Sequence, residues 1–463
     1  MRNSALAFTL GLSFTLLVAP LAHAKNVILF LGDGMGVSTV TAARIYVGQQ
    51  QGQTGEEYDL EFDKFDNVAL VKTYNTNAQV SDSAGTISAI VTGMKTRMGV
   101  LSVSPAVPRG DCRAALANEV PTLLELAEEA GFASGVVSTT RITHATPGGT
   151  YAHSPDRDWE DSSALTEEQR AMGCRDIAAQ LIEFAHGDGV DVILGGGRAN
   201  FLPTRTVDPE YADKSGRRDD GRNLIQEWLD AGNNRHYAWN QAGFAAFKPA
   251  PGAQFMALFE PSHMQFDADR AKDPGGEPSI AEMTAFAIQQ LQQHDKGYFL
   301  LVEGGRIDHG HHFSNAYRAL QDTAAMNEAV GAALQLVDLD ETLVLVTADH
   351  SHTLTISGYP PRGNPILGKV PPVEAMPFAN PKAVAYTTLS YANGPGYKET
   401  YPDLSEVDTT DPSYQQLGTV PLPVETHAGE DVAAYATGKN AQAVRGVIEQ
   451  NELFAIMREA LFD

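Results

Sequence analysis

Short apolar runs recur along the chain, and each is closed by glycine or by small polar residues. Val27 to Leu31 runs into Gly32-Asp33-Gly34, and Ser134 to Val137 into Ser138-Thr139-Thr140. Val190 to Leu194, interrupted once by Asp191, runs into three glycines. Tyr298 to Val302 leads to Glu303-Gly304-Gly305, and Leu343 to Val346 to Thr347-Ala348-Asp349-His350. Near-continuous apolar runs fit strands covered on both faces, as in a parallel sheet. Stretches of helical period separate them, at Val120 to Ala130, Ser279 to Gln293 and Tyr317 to Val337. The alternation predicts an α/β fold with a central, mostly parallel sheet and helices on both faces. Such sheets place their ligand sites beyond the carboxyl ends of the strands, where Asp33, Glu303, Asp349 and His350 stand.

Gly358 to Pro423 breaks the pattern. It is rich in Pro, Gly, Tyr and Thr and has little helical periodicity. Its apolar residues Val370, Met376, Phe378, Val384 and Leu389 favour an inserted lobe over a disordered loop. The chain must also come back from it to deliver His427.

Composition narrows the class. The 463 residues are 43% hydrophobic and 20% charged, enough for one large core or for two to three domains. The formal net charge of -25 argues against binding to a nucleic-acid backbone. Arg2, the apolar stretch Ala5 to Ala19 and the small-residue pattern Ala22-His23-Ala24 predict a cleaved export signal over 1–24. The mature chain then starts at Lys25 and is periplasmic or secreted. There is no other run of 18 apolar residues, and Asp463 closes the chain without a hydrophobic tail, so neither a spanning helix nor a glycolipid anchor is expected. Cys112 and Cys174 are expected to pair, as in exported proteins. Closing a loop of about 60 residues stabilises by roughly 3–5 kcal/mol in the chain-entropy model.

The candidate chemistry is a metal cage around one hydroxyl. Asp308 and His312 lie four apart, on one face of a helix, and can chelate one ion. His427 would complete a three-ligand site with an open position, the pattern of catalytic zinc. Asp349 and His350 are neighbours and reach one ion only where their strand ends and turns; Asp33 would join them. Asp33, Glu303 and a threonine hydroxyl, with Thr146 as candidate, make an all-oxygen set suited to magnesium. Ser83 opens a helix-compatible stretch after Asp82, where helix N–H groups favour phosphate. A serine needs a base or a metal to become a nucleophile. A bidentate cation for phosphate points to Arg, with Arg141, Arg157 and Arg306 as candidates that spacing does not separate.

These residues stand in segments that resemble the alkaline phosphatases, metal-dependent phosphomonoesterases. The matching motifs are LGDGMG around Asp33, SDSAGT around Ser83, THATPGGTYAH leading to Arg157, VEGGRIDHGHH around Asp308, TADHSH around Asp349 and ETHAGEDV around His427. The resemblance covers nearly all of the mature chain. It implies that Asp308, His312 and His427 hold a first zinc, that Asp33, Asp349 and His350 hold a second with Ser83 as its reacting ligand, and that Asp33, Thr146 and Glu303 hold magnesium. It further implies that Arg157 clamps phosphate and Asp82 orients it, with a phosphoserine intermediate. His144 and His309 match the form found in animals and some marine bacteria, a departure under which the third site could hold zinc instead. The region Gly358 to Pro423 resembles the family's crown-like interface lobe, which implies a homodimer, and the two cysteines match a disulfide of the animal-like branch. A weaker match implies a calcium site from Glu210, the Phe259 carbonyl, Glu260 and Glu277. Small phosphomonoesters are the implied substrates. Phosphodiesters, sulfate esters, or metal binding without catalysis are the rival readings.

Overall fold

The computed structural model describes residues 25–371 and 384–463. The expected export signal, and Met376 and Phe378 of the expected lobe, lie outside the described residues. The chain folds around a central sheet. Its first eight strands are β1 (Lys25–Gly32), β2 (Asn67–Lys72), β3 (Ala133–Arg141), β4 (Val192–Gly196), β5 (Arg235–Ala238), β6 (Gln254–Leu258), β7 (Gly297–Glu303) and β8 (Thr342–Ala348). Five short strands follow. Ser351–His352 (β9) pairs with His427–Ala428 (β13), while Leu354–Ile356 (β10), Leu389–Gly394 (β11) and Gly418–Pro421 (β12) form a small sheet. The chain then returns to the main sheet as β14 (Val432–Gly438) and β15 (Gly446–Glu449). Among the described residues the main sheet has ten strands in the order β15-β2-β14-β8-β1-β7-β3-β4-β6-β5. All its pairings are parallel except those of β14, which runs antiparallel to both β2 and β8.

Every residue of β7 and β8 is buried, as expected for strands covered on both faces. Helix Ile280–Leu291 packs on helix Ala316–Leu334, and helix Glu452–Phe462 packs on Ser83–Thr92 and Leu123–Glu129. The five predicted strands and three predicted helices are all present, with shifted ends. The largest shift is at β3, which continues through Ser138-Thr139-Thr140 to Arg141. Its pairing with β4 is irregular between Val137 and Arg141, and the Ser138 and Thr140 hydroxyls turn inward to Glu303. β2 went unpredicted because its outward residues Val68 and Leu70 are 47% and 42% exposed, so it reads as neither a buried run nor a clean polar alternation.

Cys112 and Cys174 form the expected disulfide, with Cα atoms 6.0 Å apart. Helix Arg306–His312 presses closely on helix Ala316–Leu334. A Cβ on Gly310 would stand 2.6 Å from the Ala319 backbone nitrogen. Gly310 thus allows the close contact between the two helices. Gly310→Ala is expected to destabilise the fold by about 1–3 kcal/mol and to lower kcat/KM by displacing the helix that carries Asp308 and His312. Thermal denaturation alongside phosphatase kinetics checks both effects.

Candidate functional site

The carboxyl ends of β1, β7 and β8 meet in one pocket, because the three strands are neighbours in register: Leu31 lies opposite both Glu303 and Thr347. Asp33, Glu303 and Asp349 are delivered there fully buried. Ser83 is the first residue of helix Ser83–Thr92, and Asp82 caps it by accepting from Gly85 N at 3.1 Å. The Ser83 hydroxyl lies 3.3 Å from Asp33 Oδ1 and 3.2 Å from His350 Nε2. His350 Nε2 in turn is 3.3 Å from both Asp33 Oδ1 and Asp349 Oδ2. Asp349 is held in place by Gly34 N and its own neighbour's N–H, each 3.0 Å from Oδ1.

The second group gathers around Asp308. His312 Nε2 and His427 Nε2 lie 3.2 and 3.4 Å from Asp308 Oδ1 and 3.3 Å from each other. His427 reaches this point because β13 pairs with β9, and its ring stacks on His350 with centroids 3.5 Å apart. On one side of the cage, Arg157 donates to Asp82 Oδ2 at 3.3 Å and faces His144 Nε2 at 3.1 Å. The other two candidate arginines are engaged elsewhere. Arg141 makes a two-pronged pair with Glu160 at 2.8 and 2.6 Å, and Arg306 lies over the Phe266 ring at 3.8 Å. The structure therefore separates what spacing did not. Only Arg157 is tied to the residue capping the serine's helix.

The donor set fits metal ions on two observations. First, the three histidines are oriented alike. Nδ1 of His312 lies 2.5 Å from the Glu425 carbonyl, Nδ1 of His427 is 2.8 Å from that of Ser81, and Nδ1 of His350 is 3.3 Å from that of Ser351. Each carbonyl takes the Nδ1 proton and turns the Nε2 lone pair toward the carboxylates, which is how metal-ligating histidines are held. Second, Asp33 Oδ2, Glu303 Oε1 and the Thr146 hydroxyl are buried with no hydrogen-bond partner. Asp33, His144 and Glu303 offer donor atoms within 4.8 Å of one another. Electrostatics agree. Burial and mutual repulsion raise Asp33 well above the usual carboxylate range and push Glu303 up to about 7. Burial lowers His350 and His312 below the ordinary imidazole range, which favours the ligating form.

Several residues here escaped the sequence reading. His352 is buried between Asp308 Oδ1 at 2.7 Å and Glu425 Oε2 at 2.5 Å, and these two carboxylates overcome its burial to push it up to about 10. The alternation of His350 and His352 along TADHSH carried a signal for it, since positions two apart on a strand share a face. His263 packs against His309, with centroids 4.3 Å apart, and against His144. The expected calcium set assembles only in part. Glu210, Glu260 and Asp273 come together, and Asp273 takes the place expected of Glu277. Glu277 instead accepts from Gln265 N at 2.9 Å, and Arg198 already contacts both the Phe259 carbonyl and Glu210, each at 2.5 Å.

The sequence model of the family described as alkaline phosphatase matches residues 24–462. The chain belongs to the alkaline phosphatase family. It is 46% identical to the alkaline phosphatase of Gadus morhua over 92% of this chain and 90% of that one. It is 47% identical to the tissue-nonspecific isozyme of Gallus gallus over 92% of this chain and 82% of that one. Among solved structures, alkaline phosphatase from the Antarctic bacterium TAB5 superposes with a TM-score of 0.63 at 21% identity, covering 95% of this chain and 98% of that one. The cold-active enzyme of a psychrophilic Shewanella gives 0.66 at 20% identity, covering 95% and 100%. A mutant of the TAB5 enzyme carries Mg bound in its M3 site. This alkaline phosphatase is accordingly a phosphomonoester hydrolase of a metal-dependent family.

The buried acids make a pH test of the cage. With its folded-state value raised from 4.5 to about 7, Glu303 favours the fold fully below pH 4.5 and loses that contribution as pH rises through 7. Chelated protein is expected to lose several degrees of melting temperature between about pH 5 and pH 8, and protein reloaded with metal to lose far less. Parallel thermal scans across that range decide it.

Proposed function

We propose that this phosphomonoesterase works through a phosphoserine on Ser83, beside two zinc ions and one magnesium ion. The convergence of Ser83, Asp33 and His350 within 3.3 Å carries the reading. Asp308, His312 and His427 would hold the first zinc; Asp33, Asp349 and His350 the second; Asp33, Glu303 and Thr146 the magnesium. When bound, the ions favour the deprotonated serine oxygen and offset charge growing on the leaving oxygen.

The chain's own groups do the rest. Ser83 stands at a helix N-terminus, where free N–H groups and the dipole favour the anionic phosphate. Its Oγ attacks phosphorus as the bond to the leaving alcohol breaks. Arg157 supplies two parallel N–H donors to the non-bridging oxygens, a contact worth most as charge spreads in the transition state. Asp82 fixes Arg157 and the helix start together, since its Oδ2 accepts from Arg157 while its Oδ1 accepts from Gly85 N and from Asn75 Nδ2 at 3.0 Å. Water then attacks from the vacated side and frees Ser83. Two in-line displacements retain configuration at phosphorus.

Three further readings belong with this proposal. The segment 358–423, which includes β11 and β12, would be the interface lobe of a homodimer; the exposed Val420 and Leu422 near its end support a partner there. Export through the 1–24 signal is supported by the disulfide, and no helix of the described residues is long and apolar enough to cross a membrane. A calcium ion at Glu210, Glu260 and Asp273 suits the all-oxygen set. Ser83→Ala is expected to lower kcat/KM for p-nitrophenyl phosphate more than about a thousandfold. Acid quench of the native enzyme should trap phosphoserine. Chelation should abolish turnover, with zinc and magnesium together restoring it. Faster turnover of the diester or sulfate analogue than of the monoester would overturn the reading.

A further inference from the structure

A second convergence of imidazole and carboxylate lies outside the catalytic pocket. It sits on the wall of a cavity of about 340 Å³ bordered by Glu119, Glu125, His153 and His186. His153 Nε2 is 2.7 Å and His186 Nε2 3.4 Å from the same oxygen, Glu125 Oε1. The far side of each group is held. His153 Nδ1 lies 2.7 Å from the Ser102 carbonyl, His186 Nδ1 lies 2.8 Å from Glu129 Oε1, and Glu125 Oε2 accepts from Thr122 N at 2.8 Å.

These contacts fix the tautomers. A carbonyl can only accept, so the Ser102 contact places the His153 proton on Nδ1 and leaves its Nε2 lone pair facing the Glu125 carboxylate. Glu129 does the same for His186. Two lone pairs pointed at one carboxylate oxygen repel it unless a positive charge lies between them, either an added proton or a metal ion. The orienting pattern, an acceptor behind each imidazole and a backbone N–H behind the carboxylate, is the one that surrounds ligating side chains. His312 and His427 are likewise held by an acceptor behind Nδ1, a main-chain carbonyl in each case. Glu119 adds negative charge to the same wall.

We infer that Glu125, His153 and His186 form a further binding site for a divalent ion of the zinc type, with the cavity supplying the open position. Two nitrogens and one carboxylate are a known zinc donor set, at about 2.0–2.2 Å from the ion. Reaching those distances takes a rotation of His186, whose side chain is 35% exposed. The ion would join three pieces of chain: helix Leu123–Glu129 through Glu125, the segment leading to Arg157 through His153, and the stretch after helix Ile177–Ile182 through His186. The site therefore acts as a staple behind the phosphate-clamping segment and takes no part in the reaction.

The test uses holoenzyme with its catalytic metals loaded, passed through a desalting column and dialysed against micromolar Zn2+ at pH 8. The native enzyme is expected to take up one more zinc per chain than His186→Ala, in which affinity for that ion falls at least tenfold while phosphatase activity is unchanged. Glu129→Gln, at an exposed position, keeps all three ligands but removes the orienting carboxylate, and should weaken the same ion severalfold. Added zinc should raise the melting temperature of the native enzyme and not that of His186→Ala. Equal zinc uptake and equal affinity in native and His186→Ala enzymes would overturn the site and leave a histidine–carboxylate ion pair in its place.

Discussion

Buried negative charge governs this molecule. Asp33, Glu303 and Asp349 are fully enclosed and Asp308 nearly so, all at the carboxyl ends of three adjacent strands or one turn beyond. Isolated carboxylates in such surroundings are costly, and they either take up protons or acquire cations. The raised Asp33 and Glu303 show the first response. Asp308 shows the second in miniature, held well below the usual range by the histidines around it despite its burial. A sheet that drives several acids into one dry pocket stores a demand for divalent ions. Loading with metal and folding are then two sides of one equilibrium.

The backbone decides which histidine atoms face those acids. The carbonyls of Glu425, Ser81 and Ser351 each engage a ring Nδ1. The choice of tautomer is thus made by main-chain carbonyls. His352 is the exception that marks the rule. With a carboxylate oxygen beside each ring nitrogen, it braces Asp308 against Glu425.

The sequence exposed five buried parallel strands, β1, β3, β4, β7 and β8, and the residues just past them, because period and polarity change together there; the equally buried β6 was not read. Asp33, Glu303, Asp349 and His350 were legible for that reason, and Asp308 with His312 by helical spacing. Strands near the antiparallel edge were not, since Val68 and Leu70 face outward while Ala69 and Val71 face the core. The inward turn of Ser138 and Thr140 depends on an irregular pairing with β4 that no local pattern encodes. The meeting of Asp273 with Glu210 and Glu260 illustrates a further limit: two acids four positions apart, Asp273 and Glu277, in a loop without period, cannot be ranked until their loop is folded. The orientation of each histidine was hidden as well, because the acceptor behind it is a main-chain carbonyl, which every residue has.

One member of the cluster arrives late. His427 reaches the cage only through the pairing of β13 with β9, after the chain has passed through the small sheet of β10, β11 and β12. During synthesis, Asp33, Ser83, Asp308 and His312 all emerge well before it. A chain cut short before β13 would keep Asp308 and His312 side by side without His427, so the donor set around Asp308 is closed only by the part of the chain that comes after the small sheet.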